Sequence, residues 1–277
     1  MDYSKFTVYG GIGSGGPDDG HSPSDPSRRG IGYSRGVPRT PGREVSDELF
    51  RDAVQASDVN LIAHRGFAGE APDNTVAAMV HAADRGADAV EFDVRRCASG
   101  DPVVIHDATV GRVTDGTGRV DAMTVDDLAA LDVLGSGECV PTLSAVLDAV
   151  PEGVDVNAEL KDPVVESALP VLRSVENDVL VSSFDPGVLA EVRDAHPGVP
   201  TGFLCTAATP DPVERAVSLD CRAIHPEVDL ALSGGFVDRA HDAGLTVNAW
   251  TVTDRETADP LREAGVDGLI SDRSDVV

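Results

Sequence analysis

The sequence predicts an α/β protein built on a parallel sheet, with the number of βα units found in an eight-stranded (β/α)8 barrel. Three observations carry this. From about residue 60 onward, short apolar strand runs alternate with helical stretches, the pattern of βα units. Nine strand runs can be marked, and one of them cannot be a parallel neighbour of the run before it. The length of 277 residues suits one domain of barrel size, or two small ones.

The elements follow in order. Residues 1 to 44 are rich in Gly, Ser, Pro and Arg and show no hydrophobic periodicity. Such a segment buries too little apolar surface to offset the entropy of ordering, so 1–44 is expected to be disordered. It reads either as an arm of the protein or as a mis-assigned start upstream of the domain, which then spans 45–277. A helical approach is expected over 46–57. The strand runs are 60–65, 88–94, 102–106, 154–160, 178–184, 200–205, 222–226, 245–251 and 267–271. The link from Arg95 to Asp101, with Ser99-Gly100-Asp101 as a turn, is too short for a parallel crossover. The run 102–106 should therefore return as a hairpin on 88–94, and eight βα strands remain. Val76 to Ala87 and Ser144 to Val150 fit an outer ring of helices, and Asn74 and Thr75 are natural N-cap residues for the first.

Charge is the outlier in the composition: 48 acidic against 22 basic residues, a net of −26. Lysine occurs only at Lys5 and Lys161, and the acidic residues are spread along the chain. This combination reads as adaptation to high salt, where carboxylates keep a surface hydrated and salt screens their repulsion. The plainer reading is an ordinary acidic protein. Either way such a surface argues against nucleic acid and against anionic membranes. No apolar run approaches the roughly 20 residues of a membrane helix. Arg28-Arg29 lacks the apolar stretch a twin-arginine signal needs, so a cytoplasmic location is expected. Cys97, Cys139, Cys205 and Cys221 show no metal-ligand spacing and no staple framework. The run Gly10-Gly11-Ile12-Gly13 has no strand and helix to frame it, so it is not a dinucleotide loop.

The chemistry gathers at the ends of the strand runs. The first closes on His64-Arg65-Gly66, the second contains Glu91-Phe92-Asp93, the third ends in His106-Asp107, and the fourth carries Glu159-Leu160-Lys161. Residues i and i+2 of a strand share a face, so Glu91 pairs with Asp93 and Glu159 with Lys161. Grouped carboxylates suit a hard divalent cation such as Mg2+ or Ca2+. Two histidines beside it suit acid–base chemistry near neutral pH. Arg65 and Lys161 add positive charge for an anionic substrate. Together these read as metal-assisted phosphoryl transfer. The plainer alternatives are salt bridges of Glu91 and Asp93 with Arg65 or Arg95, a simple Glu159–Lys161 pair, and packed histidines. Asp107 either orients His106 or caps the turn. His81, His196 and His241 lie on helical stretches and read as structural; the role of His225, which ends a strand, stays open. Phe184 and Trp250, at strand ends, are either core or an apolar wall for a small substrate.

These motifs, taken in order, resemble the glycerophosphodiester phosphodiesterases, a branch of the phosphatidylinositol-phospholipase-C-like TIM barrels. The resemblance runs over roughly residues 60 to 275. It rests on His64-Arg65-Gly66, Pro72-Asp73-Asn74-Thr75, Glu91-Phe92-Asp93, His106-Asp107, Glu159-Leu160-Lys161 and Trp250-Thr251-Val252. The stretch Thr114 to Val120 with Pro141-Thr142-Leu143 is similar to the family's linker. One position departs, since Asp73 stands where the family usually has Glu. The resemblance implies hydrolysis of a glycerophosphodiester to glycerol phosphate and an alcohol. His64 and His106 would exchange protons and a cyclic phosphate would form. Glu91, Asp93 and Glu159 would hold the metal, and Arg65, Lys161, Phe184 and Trp250 would bind substrate. Two rivals remain: a phospholipase C or D acting on lipids, and a non-catalytic barrel that binds phosphorylated ligands. A degenerate binder should have lost a histidine or a carboxylate, and none of these positions has changed.

Overall fold

The computed structural model describes residues 59–277; the expected arm 1–44 and the helix expected over 46–57 lie outside them. Nine strands form one sheet: β1 Asn60–His64, β2 Ala89–Arg96, β3 Pro102–Val104, β4 Asp155–Leu160, β5 Val179–Ser183, β6 Thr201–Cys205, β7 Ala223–Pro226, β8 Thr246–Val252 and β9 Gly268–Ser271. Eight of them pair in parallel in the order β1-β9-β8-β7-β6-β5-β4-β2, and a β1–β2 pairing closes the ring. This is the expected (β/α)8 barrel. The ninth strand, β3, runs antiparallel to β2 outside the ring, with Val94 opposite Val104 and Arg96 opposite Pro102. Among the described residues no helix is long and apolar enough to cross a membrane.

The helices that ring the barrel are α1 Val76–Asp84, α3 Leu143–Ala149, α4 Val165–Leu172, α5 Pro186–Ala195, α6 Pro212–Ser218, the one-turn α7 Val228–Ala231, α8 Phe236–Asp242 and α9 Arg255–Glu263. The main core lies between strands and helices and includes Phe92, Leu143, Leu160, Leu169, Leu189, Phe236 and Leu261. Each such side chain contributes roughly 1.5–3 kcal/mol by leaving water. The four cysteines are free; burial, with Glu227 nearby, pushes the Cys205 thiol up to about 12, which marks it as a packing residue.

Helix α1 begins at Val76, as expected, and stops short of the expected Ala87 for a local reason. Helix α1 ends at Asp84 because Gly86, at φ +80°, turns the chain out of the helix. Its N-cap is Thr75, whose hydroxyl accepts from Ala78 N at 3.1 Å. Asn74 does not share that duty, because its amide is engaged by Asp93.

The excursion after β2 is more than a hairpin. Residues 97–140 carry β3, two 3-10 turns and the short α2 Val125–Ala129. They enclose a second apolar cluster of Cys97, Val103, Ile105, Val110, Val113, Val120, Leu128, Val133 and Val140. The named strand β3 stops at Val104, but Ile105 N still donates to Asp93 O at 2.9 Å. The chain then turns, which sets His106 at the rim of the barrel.

Candidate active site

The parallel ring places all strand C-termini on one face, the face that carries function in such barrels. A cleft on that face is lined by His64, Arg65, Glu91, His106, Asn157, Glu159, Lys161, Ser182, Phe184, Leu204, Trp250, Thr251 and Ile270. Asp93 sits beneath it, wholly buried. All nine sequence-predicted site residues thus come together.

The His-Arg-Gly turn is built by backbone geometry. Arg65, Gly66 and Phe67 all have positive φ, at 51°, 77° and 64°. Gly66 is required twice over, because a Cβ there would lie 2.6 Å from the backbone carbon of Ala78 in α1. The turn lets Arg65 N donate to Glu91 Oε2 at 3.1 Å while the guanidinium reaches Asp93 Oδ2 at 3.1 Å.

Glu91, Asp93 and Glu159 each offer an oxygen, and these oxygens lie within 4.8 Å of one another. Registry explains the closeness: Glu91 is level with Asn157, and Asp93 with Glu159, on the paired strands β2 and β4. Lys161 Nζ lies 2.7 Å from Glu159 Oε1 and 3.1 Å from Asp93 Oδ1. Asn74 clamps Asp93, donating from Nδ2 to Oδ2 at 2.8 Å and accepting from Asp93 N at 3.1 Å. The ion pairs weighed as the plainer reading are therefore present for Arg65 and Lys161. Arg95 instead pairs with Asp162 at 2.7 Å.

The charges do not balance. Three buried carboxylates face two cations. Burial disfavours the charge on Asp93, but Lys161 and Arg65 outweigh it and hold the group down at about 2. Burial, then Asp93 and Glu159, push Glu91 well above the carboxylate range. Burial, then Asp93, raise Glu159 to about 7. The protein alone thus keeps protons on carboxylates that a hard dication would displace. The donor set fits such an ion: three carboxylates of hard oxygen, with the buried Asn157 Oδ1, which has no hydrogen-bond partner, beside them.

Each histidine is held through Nδ1. His64 Nδ1 donates to Asp272 Oδ1 at 2.6 Å, and His64 Nε2 lies 4.0 Å from Glu91 Oε2. His106 Nδ1 donates to Asp107 Oδ1 at 2.6 Å, so Asp107 orients the ring. This contact fixes the tautomer and leaves Nε2 as the free nitrogen of each ring. Burial pulls His106 below the usual imidazole range, against Asp93 and Asp107, which favour its charge.

Phe184, exposed at 42%, and Trp250 form an edge-to-face pair with ring centroids 5.5 Å apart, a wall on one side of the cleft. His225 is structural. It is wholly buried, its Nε2 contacts Asn248 Nδ2 at 3.1 Å, and burial lowers it to about 3. His81 and His241 pair with Glu70 and Asp267, and His196 caps α5.

Sequence reading missed Asp272, Arg112, Asn157 and Ser182. Asp272 directly follows the last strand run, on the barrel face that carries His64, so its position carried a signal. Arg112 lies in the excursion, where no periodicity marks a direction. A larger cleft behind the excursion, lined by Arg95, Arg96 and Arg119, is largely neutralised from within, as Arg119 pairs with Asp121 at 2.6 Å and Arg95 with Asp162.

Comparison with known proteins agrees with this geometry. A model of the glycerophosphoryl diester phosphodiesterase family matches residues 64–276. A glycerophosphodiester phosphodiesterase of Caldanaerobacter subterraneus subsp. tengcongensis is 32% identical over 227 residues, 76% of this chain and 93% of that protein. One from Bacillus altitudinis is 29% identical over 78% of this chain and 95% of its own. The structure of an Oleispira antarctica phosphodiesterase in complex with its product sn-glycerol-3-phosphate superposes with a TM-score of 0.73 at 29% identity. That match covers 78% of this chain and 94% of the other. The chain therefore belongs to the glycerophosphoryl diester phosphodiesterase family.

Proposed function

We propose that this protein hydrolyses glycerophosphodiesters to glycerol phosphate and an alcohol, with a divalent cation, Mg2+ or Ca2+, held by Glu91, Asp93 and Glu159. One observation carries the reading: three buried carboxylates within 4.8 Å lie in a cleft with two histidines, each bound at Nδ1 by an aspartate. When bound, the cation supplies charge neutralisation for the phosphate and polarises its oxygens.

The protein's own groups supply the rest. The free Nε2 of one histidine takes the proton of the substrate's 2-hydroxyl, and that oxygen attacks phosphorus. The Nε2 of the other histidine gives its proton to the departing alcohol. This leaves a cyclic phosphate. Water opens the ring with the two roles exchanged, and glycerol phosphate results. Asp272 and Asp107 stabilise each imidazolium as it forms. Arg65 and Lys161 hold the phosphate oxygens, the guanidinium as a fork and the ammonium as a point charge. Phe184 and Trp250 give the glycerol an apolar wall that limits water.

The functional unit in this reading is residues 45–277, supported by the family match over 64–276. A salt-rich cytoplasmic setting is part of the same reading, supported by the net charge of −26 and the two lysines of the whole chain. The substrate is a small molecule; the acid excess opposes nucleic acid and stable membrane association.

The test is 31P NMR of a panel of glycerophosphodiesters with Mg2+ or Ca2+ in molar salt. Glycerol phosphate should accumulate, with cyclic phosphate as a transient signal. No turnover with any divalent ion would refute the reading and leave a phosphate-binding barrel.

A further inference from the structure

Asp73 is a short carboxylate in the loop between β1 and α1, with 7% of its surface exposed. A charge that deep is costly unless it is paired. Its Oδ2 accepts from Arg112 NH2 at 3.2 Å and lies 3.5 Å from Arg65 NH1. The Nε of Arg112 donates to Asp107 Oδ2, and Asp107 Oδ1 accepts from His106 Nδ1 at 2.6 Å. An unbroken chain thus runs Arg65–Asp73–Arg112–Asp107–His106. Its two ends belong to different parts of the molecule. Arg65 and Asp73 lie on the loop after β1, while His106, Asp107 and Arg112 lie on the excursion.

The excursion has its own apolar cluster and meets β2 through a ladder of only three residue pairs. Arg95 Nε holds the backbone of His106, donating to its carbonyl at 2.7 Å, but that bond does not orient the ring, and apolar packing is non-directional. A guanidinium fork that binds two carboxylates at once supplies the missing direction. Asp107 needs the help, because with one oxygen on His106 its other oxygen would face water and let the pair rotate.

We propose that Asp73 and Arg112 are positioning residues. They lock the excursion to the rim of the barrel and, through Asp107, fix the ring of His106 in the cleft. This rests on the reading of His106 as a proton-transfer group. Arg112 is half-exposed and lies two side chains away from the proton that moves. Its loss should therefore lower turnover rather than substrate affinity.

The experiment compares Arg112→Gln, Arg112→Lys, Asp73→Asn, Asp107→Asn and the double variant Arg112→Gln/Asp107→Asn with wild type. Arg119→Gln, an exposed pair outside this chain, serves as control. Loss of a supporting partner typically costs on the order of 10- to 100-fold. Arg112→Gln should lower kcat on glycerophosphocholine with Mg2+ by about that factor at nearly constant KM. Arg112→Lys should fall between it and wild type. The double variant should be no worse than Asp107→Asn alone, because both changes break one chain. A second readout needs no turnover: 15N spectra of the His106 ring in the metal-free protein. Asp107→Asn, Arg112→Gln and Asp73→Asn should each move the ring from the Nδ1–H tautomer toward a mixture. Wild-type kcat in Arg112→Gln, multiplicative losses in the double variant, or unchanged ring spectra would each overturn the proposal. A wild type without phosphodiesterase activity would instead sink the functional reading, and the ring spectra would still decide the positioning.

Discussion

Metal binding to this site should release protons, and its affinity should therefore climb with pH up to about neutrality. In the metal-free protein, burial and then Asp93 hold Glu159 at about 7, and Glu91 is pushed up in the same way. A cation that uses both carboxylates must expel the protons they carry. Each pH unit below the value of a group costs about 1.4 kcal/mol, or about tenfold, per proton expelled. Going from about pH 5 to about pH 7 should thus raise Mg2+ or Ca2+ affinity roughly 100-fold through Glu159 alone, and more where Glu91 also loses a proton. Above about 7 the Glu159 contribution levels off. The stability of the metal-free fold moves the other way. The folded value of Glu159 lies above its ordinary 4.5, so its stabilisation is full below 4.5 and is lost as pH rises to about 7. That interval is worth at most ~3.5 kcal/mol. Asp93 has the opposite sign: its contribution is full above 3.8 and is lost as pH falls to about 2. Titration calorimetry at several pH values, in buffers of different ionisation enthalpy, reads both affinity and proton count. An affinity flat between about pH 5 and 7, with no proton released, would refute the linked reading of the three carboxylates.

Four further outcomes are expected. His64→Ala and His106→Ala should each lower turnover by ~10²–10⁴-fold with metal affinity nearly unchanged, whereas Glu91→Gln and Glu159→Gln should weaken metal binding and be partly rescued by excess metal; assays paired with metal titrations separate the two groups. Lys161→Arg should also be poor, because the longer, planar guanidinium does not fit the place of the compact ammonium, which sits 2.7 Å from Glu159 and 3.1 Å from Asp93; steady-state kinetics at saturating metal check this. Gly66→Ala should destabilise the fold by about 3 kcal/mol or more, from left-handed backbone strain plus the clash with α1, and thermal unfolding should fall by several degrees. Dilution from molar salt to ~0.1 M, where the Debye length is about 10 Å, should unfold the protein as seen by circular dichroism; full activity at low salt would count against salt adaptation.

The barrel was legible because several of its strands keep the period of two. Runs such as Val154 to Leu160 and Leu245 to Ala249 place an apolar residue at every second position, and all eight barrel strands fall within a residue or two of the expected limits. The hairpin was legible from one short link, Arg95 to Asp101. The inner build of the excursion was not. Its cluster draws on Val110, Val120, Leu128 and Val140, residues spaced irregularly through turns, and irregular spacing has no period to detect. Helix ends were set by single groups: Gly86 stopped α1 early, and Asp93 drew Asn74 away from the cap.

The site follows the same logic one level deeper. A parallel barrel carries every strand end to one face, so any polar group that closes an apolar strand run is delivered to the same cleft, whatever its place in the chain. That rule alone brings His64, Glu91, Asp93, Glu159, Lys161 and Trp250 together. It does not say which of them touch. His64 meets Asp272 across 208 positions of sequence, and Asp73 meets Arg112 across 39. Such pairings depend on registry between strands and on the seating of an insertion, quantities set by packing and not by local pattern. The departure at Asp73 shows the limit. In the fold the long guanidinium of Arg112 comes to the shorter carboxylate, donating to Asp73 Oδ2 at 3.2 Å. A short acid with a long base can close the same distance as a long acid with a short one. A substitution at Asp73 therefore has to be judged together with Arg112.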